Sequence, residues 1–476
     1  MDLTALLMRA AAARPRVLLV TTPGGTAVRM AAESELRSRD WPRASTPAGA
    51  DLLVVAGPDC SRLQSALERL WQDMPQPRAR VRVTTADEVP SSLDAGRAWL
   101  SSFDRQRADA RRAAREDEHR EPEQPGDMGA DGEAQEEQAE PGRGGNDSGP
   151  RGGEHGGHRE DGSGGGGHGG EPRNGDANHE GHPGGHEEHA GHGGGHGGHE
   201  EHTGHGGHGS GEMEMPGGLP MAERGEDRDG LTLDRLHVPL GPILADWPAG
   251  LTIRVVLQGD VIQQADLDDV PVGRLADPFW SRPWIRAAAG EPVAMREAAR
   301  RRAAAHLDSL GRLLSVAGWP AEAVTARRLR DDLLEEAPAS VVLPRVERFA
   351  RRVGRSRTLY WLTRGIGPVS VADARAAGVS GPAARAGGDV PARYRQWLTD
   401  VLHDVRKLGS TTSLDPVAQE SPRGRWDAER RPSAALAGLL PRLLVGAELG
   451  AARLVVASLD PDPDELAACS PEVARG

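Results

Sequence analysis

The sequence predicts an α/β N-terminal domain on a parallel sheet and a mainly α C-terminal domain with a small β hairpin, joined by a long disordered His/Gly-rich linker. Three observations carry this. Between Asp104 and Gly218 there is no Ile, Leu, Val, Phe, Tyr or Trp, and such a segment cannot bury enough apolar surface to offset chain entropy. Before it stand two continuous apolar runs, bounded by Pro, Gly or Asp, of the kind that form strands buried on both faces. After it, apolar residues recur mostly at helical spacing. The 476 residues therefore divide into 1–103, 104–218 and 219–476, and all ten Trp lie in the two outer pieces.

In the first piece, Arg16-Val-Leu-Leu-Val-Thr-Thr22 and Asp51-Leu-Leu-Val-Val-Ala-Gly57 are the two buried strands, with a helix over Ala27–Leu36 between them. Leu63, Leu67, Leu70 and Met74 then fall on one helical face. A third strand at Arg80–Thr84 and a helix carrying Leu93, Trp99 and Phe103 complete the unit. The second piece opens with a hairpin: Thr252–Gln258 and Val261–Gln264 flank Gly259-Asp260, a pair suited to a type II′ turn. Leu307, Leu310, Leu314 and Ala317 make one helical stripe, and Val342, Val346, Phe349 and Val353 another, with Pro320 and Pro338 at boundaries. Further helices are expected over Val390–Val405 and Ala434–Leu449, and a short buried strand at Leu454-Val-Val-Ala457.

Charge follows the same division. The 104–218 segment holds 26 acidic and 10 basic residues, a net of −16 against −13 for the whole chain, so the outer pieces together carry about +3 (−13 minus −16). Of the 58 basic residues all but Lys407 are Arg, scattered singly through helices in the manner of solvated faces. A nucleic-acid binder would show a basic stripe, and none is expected here. With one lysine there is no Walker phosphate loop. Arg9, Arg14 and Arg16 interrupt the early apolar stretch, so no secretory signal is read. No apolar run approaches the length of a membrane-spanning helix. The expected location is cytoplasmic, at most peripheral to a membrane. Two cysteines, Cys60 and Cys469, are too few for a disulfide framework.

Thirteen of the seventeen histidines lie between His155 and His208. His179, His182, His186, His189, His192, His196, His199, His202, His205 and His208 recur with two or three residues between neighbours. Imidazole is a common ligand for divalent zinc, nickel, cobalt and copper, and glycine spacers let several rings converge without strain. Glu180, Glu187, Glu188, Glu200 and Glu201 could supplement such a shell. A nickel- or zinc-binding tract and a plain low-complexity linker both fit this composition. Outside the tract, His306 beside the apolar stripe reads as packed or surface-lying, while His237 and His403 carry no catalytic spacing. The loop Thr22-Pro-Gly-Gly-Thr-Ala-Val28, between a strand and a helix, reads either as a phosphate-binding helix start or as a tight βα turn.

Several stretches also carry a family resemblance. Ala50–Gly57 followed by Leu70-Trp-Gln-Asp-Met-Pro-Gln-Pro-Arg78, with Ala27-Val-Arg-Met30 upstream, resembles the B-type iron–sulfur component of NADH-quinone oxidoreductase (respiratory complex I) and the small subunit of membrane-bound [NiFe] hydrogenases. Val238-Pro-Leu-Gly-Pro242, Leu257-Gln-Gly-Asp-Val261 and Ala457-Ser-Leu-Asp-Pro461 resemble its partner, the D-type component of complex I or the hydrogenase large subunit. So does Arg364-Gly-Ile-Gly-Pro-Val-Ser-Val-Ala-Asp-Ala-Arg-Ala-Ala-Gly-Val-Ser-Gly-Pro-Ala-Ala-Arg385, which follows the family's Gly-x-Gly … Gly-x-x-Gly-Pro-x-x-Arg pattern. The matches are collinear. They imply a fused chain with a B-like domain at 1–103 and a D-like domain at 219–476.

That resemblance implies an oxidoreductase subunit, with NAD and quinone chemistry in the assembly as a whole. A [4Fe–4S] cluster takes four thiolates and a nickel–iron centre four more. Two cysteines supply neither set, so neither centre is expected. The paired cluster cysteines correspond to Gly25 and Thr26, and the hydrogenase terminal pair to Asp462 and Glu465. The stretch Ile243–Gly250 stands where the family carries a quinone-contacting histidine and has none. The leading expectation is a cofactor-less pseudo-subunit, a structural or regulatory component of a respiratory-type complex, with no catalytic or cofactor-binding residues. Its partners would be the other subunits of a complex I-like or hydrogenase-like assembly, and through them the membrane surface. The alternatives are a quinone-binding subunit whose redox centres sit on partner chains, and a His-rich nickel or zinc storage or delivery protein.

Overall fold

The computed structural model describes residues 12–118, 224–226, 232–270 and 278–468. Strands β1 (Val17–Thr21), β2 (Leu52–Ala56) and β3 (Ala79–Val83) form a parallel sheet in that order. Every residue of β2 is buried, because helices cover both faces. Leu52 and Val54 pack with Val28 and Leu36 of α1 (Thr26–Ser38) and Leu93 of α3 (Val89–Leu100). Leu53 and Val55 point the other way, to Leu63, Leu67 and Met74 on and around α2 (Gln64–Gln72). The strand period of two thus sends alternate residues of one apolar run into two cores.

The chain does not lose order at residue 104. Helix α4 (Phe103–Glu118) continues through the start of the segment expected to be a disordered linker. Its Ala and Arg residues are good helix formers, and Gln106 anchors it. That amide accepts from the Arg78 N–H (3.0 Å) and donates to the Arg78 carbonyl (3.0 Å), and it is buried. A polar side chain therefore replaces the branched apolar residues whose absence suggested disorder. The rest of the linker expectation lies outside the described residues.

In the second region β4 (Arg224–Glu226), β5 (Thr232–Leu240), β6 (Ile253–Gln258) and β7 (Val261–Leu267) form an antiparallel sheet in sequence order. The expected hairpin is β6–β7, with Gly259 at φ 62° in its turn. Strand β5 was hidden in the sequence by Pro239 and by its exposed residues, His237 among them. Helices α5 (Arg282–Ala288), α6 (Met295–Val316), α7 (Pro320–Leu334), α8 (Ala339–Gly354), α9 (Arg357–Thr363), α10 (Val371–Ala376), α11 (Gly381–Ala386) and α12 (Val390–Arg406) follow. Helix α6 is the hub, packed against α7 and α12, and both predicted apolar stripes lie in the core there.

Two expectations fail near the C-terminus. The helix expected over 434–449 is α13 (Pro432–Leu444), which stops where Val445 turns extended and Gly446 takes φ 81°. The strand expected at 454–457 is part of α14 (Leu449–Leu459). A four-residue apolar run fits either period. Here Ala452, Val455, Val456 and Leu459 are buried at i, i+3, i+4 and i+7, the face of a helix. A last helix, α15 (Pro463–Ala468), closes the described chain. The N-terminal α/β region and the helical region belong to one compact unit.

Candidate functional site

The two regions meet at the turn that follows β1. Gly25 N–H donates to the Thr22 carbonyl (2.9 Å), and the Thr22 hydroxyl to that of Pro58 (2.8 Å). The loop is so tight against β2 that a Cβ on Gly25 would lie 2.3 Å from the Ala56 oxygen and 2.8 Å from the Thr22 oxygen. Both obstacles are backbone and cannot swing aside. Facing this turn, α15 presents Asp464, whose Oδ1 accepts the Gly24 N–H at 2.8 Å. The Thr26 side chain and the Phe279 backbone also stabilise its charge, although burial leaves the carboxyl above its ordinary value. The start of α1 is thus taken by a carboxylate of the same chain, which decides between the two readings of this loop in favour of the tight turn.

Asp464 belongs to an acidic run folded inward. Asp460 accepts from the Ser309 hydroxyl (2.6 Å) and Arg423 Nη2 (2.6 Å), with Arg312 Nη1 at 2.9 Å. Glu465 accepts from Ser433 through both its N–H (3.2 Å) and its hydroxyl (2.9 Å). Asp462 accepts only the Asp464 N–H (3.1 Å), and its Oδ2 has no partner. Burial, then the neighbouring Asp464 charge, push the Asp462 carboxyl well above the usual carboxylate range. Burial raises Glu465 as well.

A second layer of charge ties α1 to the helical region. Arg29 grips Asp308 with both nitrogens (2.7 and 3.2 Å), and Asp308 also accepts from Arg312 (2.7 Å) and Arg330 (2.6 Å). Glu33, one turn beyond Arg29, accepts from Arg330 (2.8 Å) and Arg43 (3.2 Å). Burial alone would raise both carboxyls. For Asp308 the guanidinium groups of Arg29, Arg312 and Arg330 overcome it, and for Glu33 those of Arg330, Arg43 and Arg29, holding both well below their ordinary values. The expectation that the arginines lie on solvated faces therefore fails here: Arg330, Arg312 and Arg423 are buried, each beside a buried acid.

Beside this network is a cavity of about 280 Å³, lined by β1 residues such as Leu18 and Val20, by Ile243 and Trp247, and by Arg29 and Arg312. The segment Ile243–Gly250, singled out in the sequence, thus lines a hole between the two regions. His306 is buried in the core with neither ring nitrogen hydrogen-bonded. Burial, then Arg423, Arg302 and Arg385, push its pKa well down, so it is a packed neutral ring. Cys60 is buried and its thiol is raised by burial. In the glycine-rich stretch Arg364–Arg385, backbone geometry accounts for individual residues. Gly381, for instance, takes φ 73° where a Cβ would strike Gly424 Cα at 2.6 Å, and Ser370 caps α10 by accepting the Asp373 N–H.

The structure brings Gly25, Thr26, Asp462 and Glu465 to one junction, with Asp464, Arg312 and Arg423 as the participants that sequence spacing did not reveal. An iron–sulfur cluster or nickel–iron centre does not fit it. The donors are carboxylates and a hydroxyl, harder than the thiolates such centres need, and Gly25 has no room for a side chain. Among the described residues no group of three or more His, Cys, Asp or Glu is arranged to hold a metal ion. The histidine tract, from His179 through His208, and Cys469 lie outside the described residues.

No family model matches the chain, and no curated protein does. Among solved structures it is similar to a chain of the membrane-bound sulfane sulfur reductase, an archaeal respiratory membrane complex. The two are 16% identical, with a TM-score of 0.35, over 49% of this chain and 98% of that one. No helix among the described residues is long and apolar enough to cross a membrane.

Proposed function

We propose that the chain is a cofactor-less subunit, a structural or regulatory component of a respiratory-type complex of the complex I and [NiFe] hydrogenase kind. The collinear motifs support the kinship. The observation that carries the missing cofactor is the Asp464 carboxylate on the Gly24 amide at 2.8 Å, beside the position that the family's paired cysteines would take. A carboxylate of the chain itself occupies that amide, and the surrounding acids are balanced by Arg29, Arg312, Arg330 and Arg423. The test is iron and acid-labile sulfide measured on chain purified without oxygen. Less than a tenth of an equivalent, by order of magnitude, is the expected result; a stoichiometric cluster with a paramagnetic resonance signal on reduction rejects the proposal.

The cavity beside Ile243 and Trp247 favours a second reading, a quinone-type ligand held without a redox centre in this chain. Its apolar walls suit a ring or tail, and Arg29 and Arg312 offer donors to an oxygen. Equilibrium dialysis with a short-chain quinone checks it, and binding that survives Trp247→Ala and Leu18→Trp together counts against this site.

A further inference from the structure

Helix α9 (Arg357–Thr363) lies on the outside of the helical region. Only Leu359 and Thr363, one turn apart, are buried; the other five residues are exposed. Tyr360, Trp361 and Leu362 are 37%, 70% and 60% exposed, a run of three large side chains that nothing in the described chain covers. An element anchored by a single stripe, with most of its circumference in solvent, is shaped to insert into something.

Along the chain the charge around it is one-sided, and a carboxylate near it across the fold, Asp389, is occupied with the Gly365 N–H at 2.8 Å. From Arg351 to Arg364 there are five arginines and no acidic residue. Arg352 pairs with Glu322. Arg351, Arg355, Arg357 and Arg364 are exposed and make no ion pair among the described residues, and neither does Arg395 across on α12. Arg364 instead lies over the Trp361 ring at 4.8 Å and Arg395 over Tyr360 at 4.9 Å.

We propose that α9 and its arginine surround form a docking surface for an anionic lipid bilayer. Trp361 and Leu362 would enter the headgroup–acyl boundary, Tyr360 would lie at headgroup level, and the unpaired arginines would meet lipid phosphates. A single-stranded nucleic acid is the competing partner for aromatic and arginine side chains. It is disfavoured because one face of each ring is already covered by a guanidinium, and because Leu362, among the most exposed of the three, offers nothing to a base. The surface is remote in kind from the charged junction and stands whether or not that junction holds a cofactor.

The test is co-sedimentation of the full chain with vesicles of phosphatidylcholine, with and without phosphatidylglycerol, at low salt. The chain carries a net charge of −13, so attraction to anionic vesicles has to come from a local patch. Binding is expected only with phosphatidylglycerol and should fade with added salt. It should weaken about tenfold or more in Trp361→Ser/Leu362→Ser and in Arg357→Glu/Arg364→Glu. Arg442→Glu, on another surface, should leave it unchanged, and the α9 variants should keep the parent melting temperature because the altered side chains are exposed. Three results overturn the proposal: no binding to anionic vesicles, binding that both α9 variants retain, or oligonucleotide binding lost in those variants while vesicles are ignored.

Discussion

Asp462 is a carboxylate at 1% exposure with one oxygen unpartnered and a second acid beside it. Asp462→Asn keeps the acceptor that takes the Asp464 N–H and puts an amide where the lone oxygen was. It should stabilise the chain at pH 8 by roughly 1–2 kcal/mol, measured by urea denaturation. Asp308 predicts the opposite. Asp308→Asn withdraws the anion shared by Arg29, Arg312 and Arg330 and leaves buried cations uncompensated, at a cost of about 3–5 kcal/mol. Removing the exposed Arg442–Asp373 pair should cost less than about 1 kcal/mol. Gly25→Ala forces a Cβ onto two backbone oxygens and should destabilise by about 1–3 kcal/mol or more. Gly49→Ala, whose Cβ would meet only the Thr46 hydroxyl at 3.6 Å, should be close to neutral. None of these partners was readable in advance. Arg29 and Asp308 are 279 residues apart, and a single arginine on an amphipathic helix looks the same in sequence whether it meets water or a buried acid.

At the scale of elements, legibility followed burial. The three parallel strands could be read because both faces are covered, which leaves a continuous apolar run. The stripes of α6 and α8 could be read because one face is. Helix α14 reads as a strand because only its most apolar turn stands out in the sequence, and α4 is hidden there because Gln106, a polar residue, docks it. Gln106→Ala should detach α4 and leave the Arg78 amide and carbonyl unpaired, costing about 1–3 kcal/mol; amide exchange over residues 103–118 reads it directly. The histidine tract remains the feature with the most distinctive composition, and we propose that it binds nickel or zinc. Deleting residues 150–210 should abolish divalent-ion binding by the full chain in calorimetry, and undiminished binding would place the ions elsewhere.

At the scale of the whole molecule, the two folded regions act as one body because oppositely charged groups close the junction between them. Protonation should act on it in two senses. Asp462, Asp464 and Glu465 hold protons more tightly when folded than when unfolded, so their contribution to stability falls as pH rises from the ordinary carboxylate range through their raised values. Asp308 and Glu33 are held below that range, so their contribution is present above it and is lost as pH falls through their depressed values. Melting temperature should therefore peak near the ordinary carboxylate range, about pH 4, and decline on both sides, and Asp462→Asn should flatten the alkaline limb.

The most direct measurement is a double-mutant cycle between Arg29→Met and Asp308→Asn, read by equilibrium denaturation of the full chain. If this ion pair joins the two regions, the cycle should return a coupling of about 1.5 kcal/mol or more. Losses that add to within about 0.3–0.5 kcal/mol would mean that the charges do not hold the halves together, and would contradict the account.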